Sequence, residues 1–173
     1  MKKNHSCKHH KINIKDYKII PFEDELVVDD VINYFLYQAP SISSIHSKEI
    51  DFNDEELFKN FIRLAKINKS LFMMNYSEKS YASMGLIGDS ICVFCSRFIA
   101  TKAKNEFGVE SSLESILRHL RNAIAHGSVF YYNVDHHILI FDDYNYRNKH
   151  TSRIVFKKSD LEILKSLLEK YEK

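Results

Sequence analysis

The chain of 173 residues has no tryptophan, two prolines, four glycines and three cysteines, and its 25 basic and 23 acidic residues nearly cancel. Each scarcity excludes something. So few prolines and glycines disfavour a sandwich or barrel, whose many tight turns need them, and rule out a collagenous or Pro/Gly-rich disordered chain. Long helices remain open. Cys7, Cys92 and Cys95 are too few and too unevenly placed for a disulfide framework. No apolar stretch of about 7–15 residues follows Met1-Lys2-Lys3 as a secretory leader requires, so a reducing cytoplasm is the expected compartment. No apolar run approaches the roughly 20 residues of a membrane-spanning helix, since Asp89 and Arg97 interrupt the best candidate. A net charge of +2 sets up no broad field, so any contact with nucleic acid has to come from a local patch.

What the chain does have is apolar residues in periodic order. With 45% hydrophobic residues, 12 Phe and 10 Tyr, it is long enough for one core, and two compact domains would be unusual at this length. Residues 1–11, rich in Lys and His, carry no periodicity and read as a loose basic arm. Ile12-Asn13-Ile14 reads as a short strand. From Asp24, Val28, Val31, Ile32, Phe35 and Leu36 recur at helical spacing, which predicts a first helix ending near Ala39, with Pro40 just beyond. The Ser-rich stretch 40–53 stays unassigned. A second helix is predicted from Asn53 or Asp54 to about Met74, and a third from Ser77 to Gly108, with Gly85 and Gly88 one turn apart inside it. A fourth opens with Ser111 or Ser112 as cap and stops at Gly127.

After Gly127 the period switches to two. Val129–Val134, His137–Phe141 and Arg153–Phe156 predict a small antiparallel sheet with a polar loop over 142–152, and Ser159-Asp160-Leu161-Glu162 reads as a capping box opening a final helix. The expected architecture is therefore mainly α, a single domain over residues 12–173. A helical bundle spans 24–127, and a hairpin with a closing helix spans 128–173.

Chemistry gathers at one helix end. Leu117-Arg118-His119-Leu120-Arg121-Asn122-Ala123-Ile124-Ala125-His126-Gly127 places two Arg, two His and an Asn within eleven residues. At 100° per residue, His119, Asn122 and His126 share a face, with Arg118 one turn from Arg121 and Asn122. Imidazole exchanges protons near neutral pH, and guanidinium makes paired hydrogen bonds to a phosphate whose charge grows in the transition state. Metal-free phosphodiester cleavage needs both. The bare Arg-x-x-x-x-His spacing is unspecific in a chain with nine His, and the plain alternative is a solvated helix end whose His and Arg cap the last carbonyls.

The stretch Leu120-Arg121-Asn122-Ala123-Ile124-Ala125-His126-Gly127, closing an amphipathic helix, resembles the signature of the HEPN superfamily: an Arg, a polar residue, and a His roughly four to six positions beyond the Arg. The run Ile138-Leu139-Ile140-Phe141-Asp142, a loop, Arg153-Ile154-Val155-Phe156 and a closing helix look like the C-terminal extension of one stand-alone bacterial HEPN group. The resemblance implies a HEPN-like antiparallel bundle and a metal-independent endoribonuclease, often a toxin or abortive-infection effector in phage defence. Such enzymes act as homodimers that bring two motifs into one cleft. In that reading His126 serves the 2′-OH or the leaving 5′-oxygen, Arg121 stabilises the phosphate, and Asn122 holds substrate or orients His126. Arg118 and His119 would contact RNA. The implied partners are RNA, a second copy of the chain and an antitoxin or other defence protein, with no cofactor, no metal and no membrane. The implied alternative is a non-catalytic nucleotide- or partner-binding module. In a HEPN toxin group paired with nucleotidyltransferase antitoxins a Tyr stands two positions after the His; here that position is Ser128.

Other residues carry smaller expectations. Cys92 and Cys95 have zinc-type spacing without a second pair and read as core. His5, Cys7, His9 and His10 belong to the arm, and His136 and His137 read as solvent-facing turn residues. Asp142-Asp143 reads as a loop cap or as a partner for Arg121, and Tyr144 and Tyr146, alternating with Asn145 and Arg147, present rings suited to base stacking.

Overall fold

The computed structural model describes residues 11–13, 17–19, 29–40, 54–67, 72–73, 90–92, 97–100, 102, 104–105, 108–132 and 138–170. Residues 1–10 of the expected 1–11 arm, with His5, Cys7, His9 and His10, the stretch 41–53, the Gly85/Gly88 pair, Cys95 and the His136-His137 turn lie outside the described residues, while Lys11 lies in a strand.

Three long strands form the centre of a sheet, β8 (Val129–Tyr132), β9 (Ile138–Tyr144) and β10 (His150–Lys157), paired antiparallel in that order. These are the three strands expected from the alternating runs. β9 and β10 extend further than expected, because most of the polar stretch 142–152 continues the ladder and only Asn145–Lys149 turns. Earlier strands widen the sheet: β2 (Tyr17–Ile19) pairs with β8 on one edge, while β5 (Arg97–Ala100) pairs with β10, and β3 (Phe72–Met73) runs parallel to β5 on the other. Two small ribbons stand apart, β1 (Lys11–Asn13) with β4 (Ser90–Cys92), and β6 (Lys104–Asn105) with β7 (Gly108–Val109).

The described part of the stretch from Ser77 to Gly108 thus holds strands, and no helix, where a third helix was expected. Ile91, Phe98 and Ile99 suit a pleated surface as well as a helix stripe, Gly85 and Gly88 each cost a helix about 1 kcal/mol, and pairing of Arg97–Ala100 with Ser152–Val155 decides the ambiguity.

Four helical segments are present among the described residues. α1 (Asp29–Asn33) widens into a π-helical turn, Tyr34–Gln38, where the first helix was expected. Pro40 holds Ala39 extended (ψ 141°) and ends it, with the Ala39 N–H donating to the Tyr34 carbonyl at 2.7 Å. α2 (Asp54–Leu64) is shorter than expected. Lys66 takes a left-handed conformation (φ 52°), the Ile67 N–H reaches back to the Ile62 carbonyl at 3.0 Å, and Ile67 folds into the core, which closes the helix well before the expected end near Met74. α3 (Ser112–Ala125) and α4 (Lys158–Leu168) follow. The capping box expected at Ser159 is not formed, because α4 begins earlier, behind Lys157.

One core joins these elements. Leu57 and Phe61 of α2, Leu113, Ile116 and Leu120 of α3, and Leu161, Leu164 and Leu168 of α4 meet Leu139, Phe141, Ile154 and Phe156 from one face of the sheet. Phe61 and Phe156 meet edge to face at 5.7 Å. Burying one such ring contributes about 1.5–3 kcal/mol, so this face of β9 and β10 fixes where α3 lies.

Candidate active site at the end of helix α3

α3 is defined at both ends by its own sequence. The Ser111 hydroxyl accepts from the Glu114 N–H (3.1 Å) and the Glu114 carboxylate accepts from the Ser111 N–H (2.6 Å), a reciprocal cap of two otherwise unpaired amides. At the other end the Ser128 N–H donates to the Ala123 carbonyl (2.8 Å) and the Gly127 N–H to the Ile124 carbonyl (3.0 Å), with Gly127 at φ 64°. This double closure leaves His126 as the C-cap, the residue just past the last helical position Ala125, exposed to solvent.

The apolar stripe of Leu113, Ile116, Leu117, Leu120, Ala123 and Ile124 faces the core, and His119 is buried at its edge. His119, three positions after Ile116 and four before Ala123, is completely buried. Its Nδ1 lies 2.6 Å from Oδ2 of Asp143 on β9, and the Asn122 amide donates to the same oxygen at 3.2 Å. The His119 Nε2 lies 3.0 Å from the Arg118 guanidinium. Since Arg118 only donates, Nε2 accepts and Nδ1 carries the hydrogen toward Asp143. Arg118 in turn grips buried Glu110 with two bonds, 2.5 and 3.0 Å. Burial pushes the Asp143 carboxyl up. The hydrogen bonds from His119 and Asn122 and the nearby positive charge more than offset that and hold it below the usual carboxylate range. Its other oxygen, Oδ1, is buried without a partner among the described residues, as is the hydroxyl of Ser152, its neighbour across the ladder.

Asp142 faces the other way. It forms two bonds with Arg153 (2.7 and 2.6 Å) and lies 3.2 Å from His150 Nε2. Burial first, and the Arg153 charge second, bring His150 down to about 3, and a neutral ring still donates that hydrogen bond. Arg121 leaves both clusters. Its Nη2 donates to the Ala39 carbonyl, which sits at the end of a helix and lacks an intrahelical donor, while its Nε is buried without a partner among the described residues.

Of the five expected site residues, the fold brings Arg118, His119 and Asn122 into one hydrogen-bonded chain, turns Arg121 aside toward Ala39, and puts His126 in solvent one turn beyond Asn122. Two expectations are corrected. His119 is sealed in the core by Asp143 and is not placed to contact RNA. The Asp142-Asp143 pair binds Arg153 on one face and His119 with Asn122 on the other, not Arg121. Spacing along the chain does not reveal Glu110 as the partner of Arg118, nor Asp143 as the partner of His119. The signal for a buried acid was a His at the edge of the apolar stripe, since a buried imidazole needs a hydrogen-bond partner.

Among the described residues, no group of three or more His, Cys, Asp or Glu is placed to hold a metal ion, and no helix is long and apolar enough to cross a membrane. A family model described as HEPN pEK499 p136 matches residues 5–173. No curated protein and no solved structure matches the chain.

Proposed function

Because the chain belongs to the HEPN pEK499 p136 family, we propose that it is a metal-independent endoribonuclease that cuts RNA at a site shared between two copies. The observation that carries this reading is the end of α3, where a double backbone closure holds an exposed His126 one turn past Asn122 and five residues past Arg121. His126 exchanges the proton of the ribose 2′-OH or of the leaving 5′-oxygen. Arg121 supplies positive charge to the phosphate, and Asn122, fixed by Asp143, orients the helix end. The 2′-oxygen attacks phosphorus, the bond to the 5′-oxygen breaks, the 2′-OH proton goes to a base and the 5′-oxygen takes a proton from an acid. The products are a 2′,3′-cyclic phosphate and a 5′-OH. DNA, without the nucleophile, is left whole. A toxin or phage-defence role, with an antitoxin as partner, is the setting this activity suits.

Purified protein incubated with RNA in EDTA is expected to cut it, and His126→Ala is expected to lower the rate about 100- to 10,000-fold. Equal rates for the two proteins would overturn the proposal. One observation favours the alternative of a non-catalytic binding module: Arg118 and Arg121 are both held by the fold itself, through Glu110 and Ala39. On that reading no form cuts RNA, while Arg121→Ala weakens binding of a nucleotide or protein partner.

A further inference from the structure

The turn between β9 and β10 is built to hold a ring in water. The Asn145 side-chain oxygen accepts from the backbone of Arg147 (2.9 Å) and Lys149 (3.0 Å). The Asn145 N–H donates to the Lys149 carbonyl (2.9 Å), and the Asn148 N–H to the Asn145 carbonyl (2.8 Å). With Asn148 at φ 55°, the turn is pinned by four bonds, three of them made by Asn145 as donor or side-chain acceptor. On it Tyr146 is 86% exposed, an unusual setting for a ring that gains nothing from the core. The Arg147 guanidinium lies over that ring at 5.1 Å, and half-exposed Tyr144 is braced on the His150 ring at 4.8 Å. From Tyr144 to Arg153 there is no acidic residue, and Arg147 and Lys149 flank the rings, in a chain whose total charge nearly cancels.

The turn begins where the motif helix ends. The Asp142 N–H donates to the Ser128 carbonyl at 3.0 Å, and Asn122 meets Asp143 at 3.2 Å. From that contact His126 lies about 6 Å further along the helix, and Tyr146, three residues past Asp143, lies at most about 10 Å further along the chain, so the two fall within the span of a few nucleotides.

We propose that the 144–149 turn is a stacking platform for an unpaired base of single-stranded RNA, with Tyr146 as its ring and Arg147 and Lys149 meeting the adjoining phosphates. The proposal rests on the RNA reading above and adds a binding subsite to it. A base stacks on the Tyr146 face that Arg147 leaves open. Because the turn is already rigid, little ordering is lost on binding. Stacking reads a π-face and not a base edge, so the platform tolerates sequence and rejects duplex, whose bases are already stacked.

The test uses the full chain and a labelled 2′-O-methyl RNA of roughly ten nucleotides, which cannot be cleaved by 2′-OH attack, read by fluorescence anisotropy. Tyr146→Ala is expected to weaken single-strand binding about 5- to 100-fold, and Tyr146→Phe to bind as wild type does. Arg147→Ala is expected to weaken binding and flatten its salt dependence. Duplex of the same sequence should respond to Tyr146→Ala less than two-fold. Unchanged single-strand binding in Tyr146→Ala, an equal loss on duplex, or no binding by wild type each overturns the platform. Cleavage of ordinary RNA in EDTA is scored separately. Cutting with unchanged Tyr146→Ala binding sinks the platform alone, and Tyr146-dependent binding without cutting sinks the nuclease alone.

Discussion

Adjacent positions on a strand face opposite ways, so Asp142 and Asp143 meet different partners, Arg153 on one face of the sheet and His119 with Asn122 on the other. Sequence alone shows the two acids but not the register that separates them: His119 and Asp143 are 24 residues apart, and only the packing of α3 on β9 makes them neighbours. Residue spacing along one helix was legible, which is why Arg121, Asn122 and His126 stood out. Partners brought in by tertiary contact were not. Asp143 also carries a pH dependence whose sign follows from its environment. Its carboxyl is held below the ordinary value, so the folded chain binds that proton less readily than the unfolded chain. The resulting stability is complete above the unfolded value near ~3.9 and is lost as pH falls through the folded value. Asp143→Asn, which keeps the shape and removes the charge, is expected to cost about 1–3 kcal/mol at pH 7 in urea unfolding. The gap to wild type should narrow in acid; a gap of equal size at pH 7 and pH 3 would show that the carboxylate contributes no charge-dependent stability.

At the scale of elements, the parts of the fold that local chemistry decides were legible. The Ser111-Ser112 pair announces the start of α3, with Ser111 the residue that caps it, Gly127 announces its end, and the alternating runs announce β8, β9 and β10. The stretch after Leu64 was not, because its apolar spacing fits a helix stripe and a buried strand equally well. There the outcome depends on pairing with β10, more than 50 residues later in the chain. Gly127 matters beyond the fold, since its positive φ closes α3 directly behind its C-cap, His126. A side chain with a Cβ in that conformation costs about 1–2 kcal/mol, and Asn tolerates it best. Gly127→Ala is therefore expected to lower thermal stability more than Gly127→Asn does, and to lower the RNA-cleavage rate together with it. If Ala and Asn at this position melt alike and match wild type, the left-handed closure does not set the helix end.

At the scale of the whole molecule, the described histidines bear on how many chains make one site. Cleavage by 2′-OH attack needs a base beside the attacking oxygen and an acid beside the leaving oxygen, on opposite sides of phosphorus in an in-line displacement. Among the described residues three histidines are available, and two are committed elsewhere. His119 is sealed against Asp143, and His150 is held on the far face of the sheet with Asp142 and Arg153. Under the proposed function one His126 fills one of the two roles, and a second His126 from another copy across a two-fold axis, with its own Arg121, is proposed to fill the other. The small net charge then ceases to argue against RNA, since pairing two motif ends doubles the local cations without needing a basic surface. The proposed shared site would make activity depend on assembly. Specific activity in EDTA is expected to fall as the protein is diluted below its dimer dissociation constant, in step with the dimer fraction seen by sedimentation velocity. Constant specific activity across a range where sedimentation shows single chains would mean that one His126 suffices, with water or the RNA itself supplying the second proton transfer.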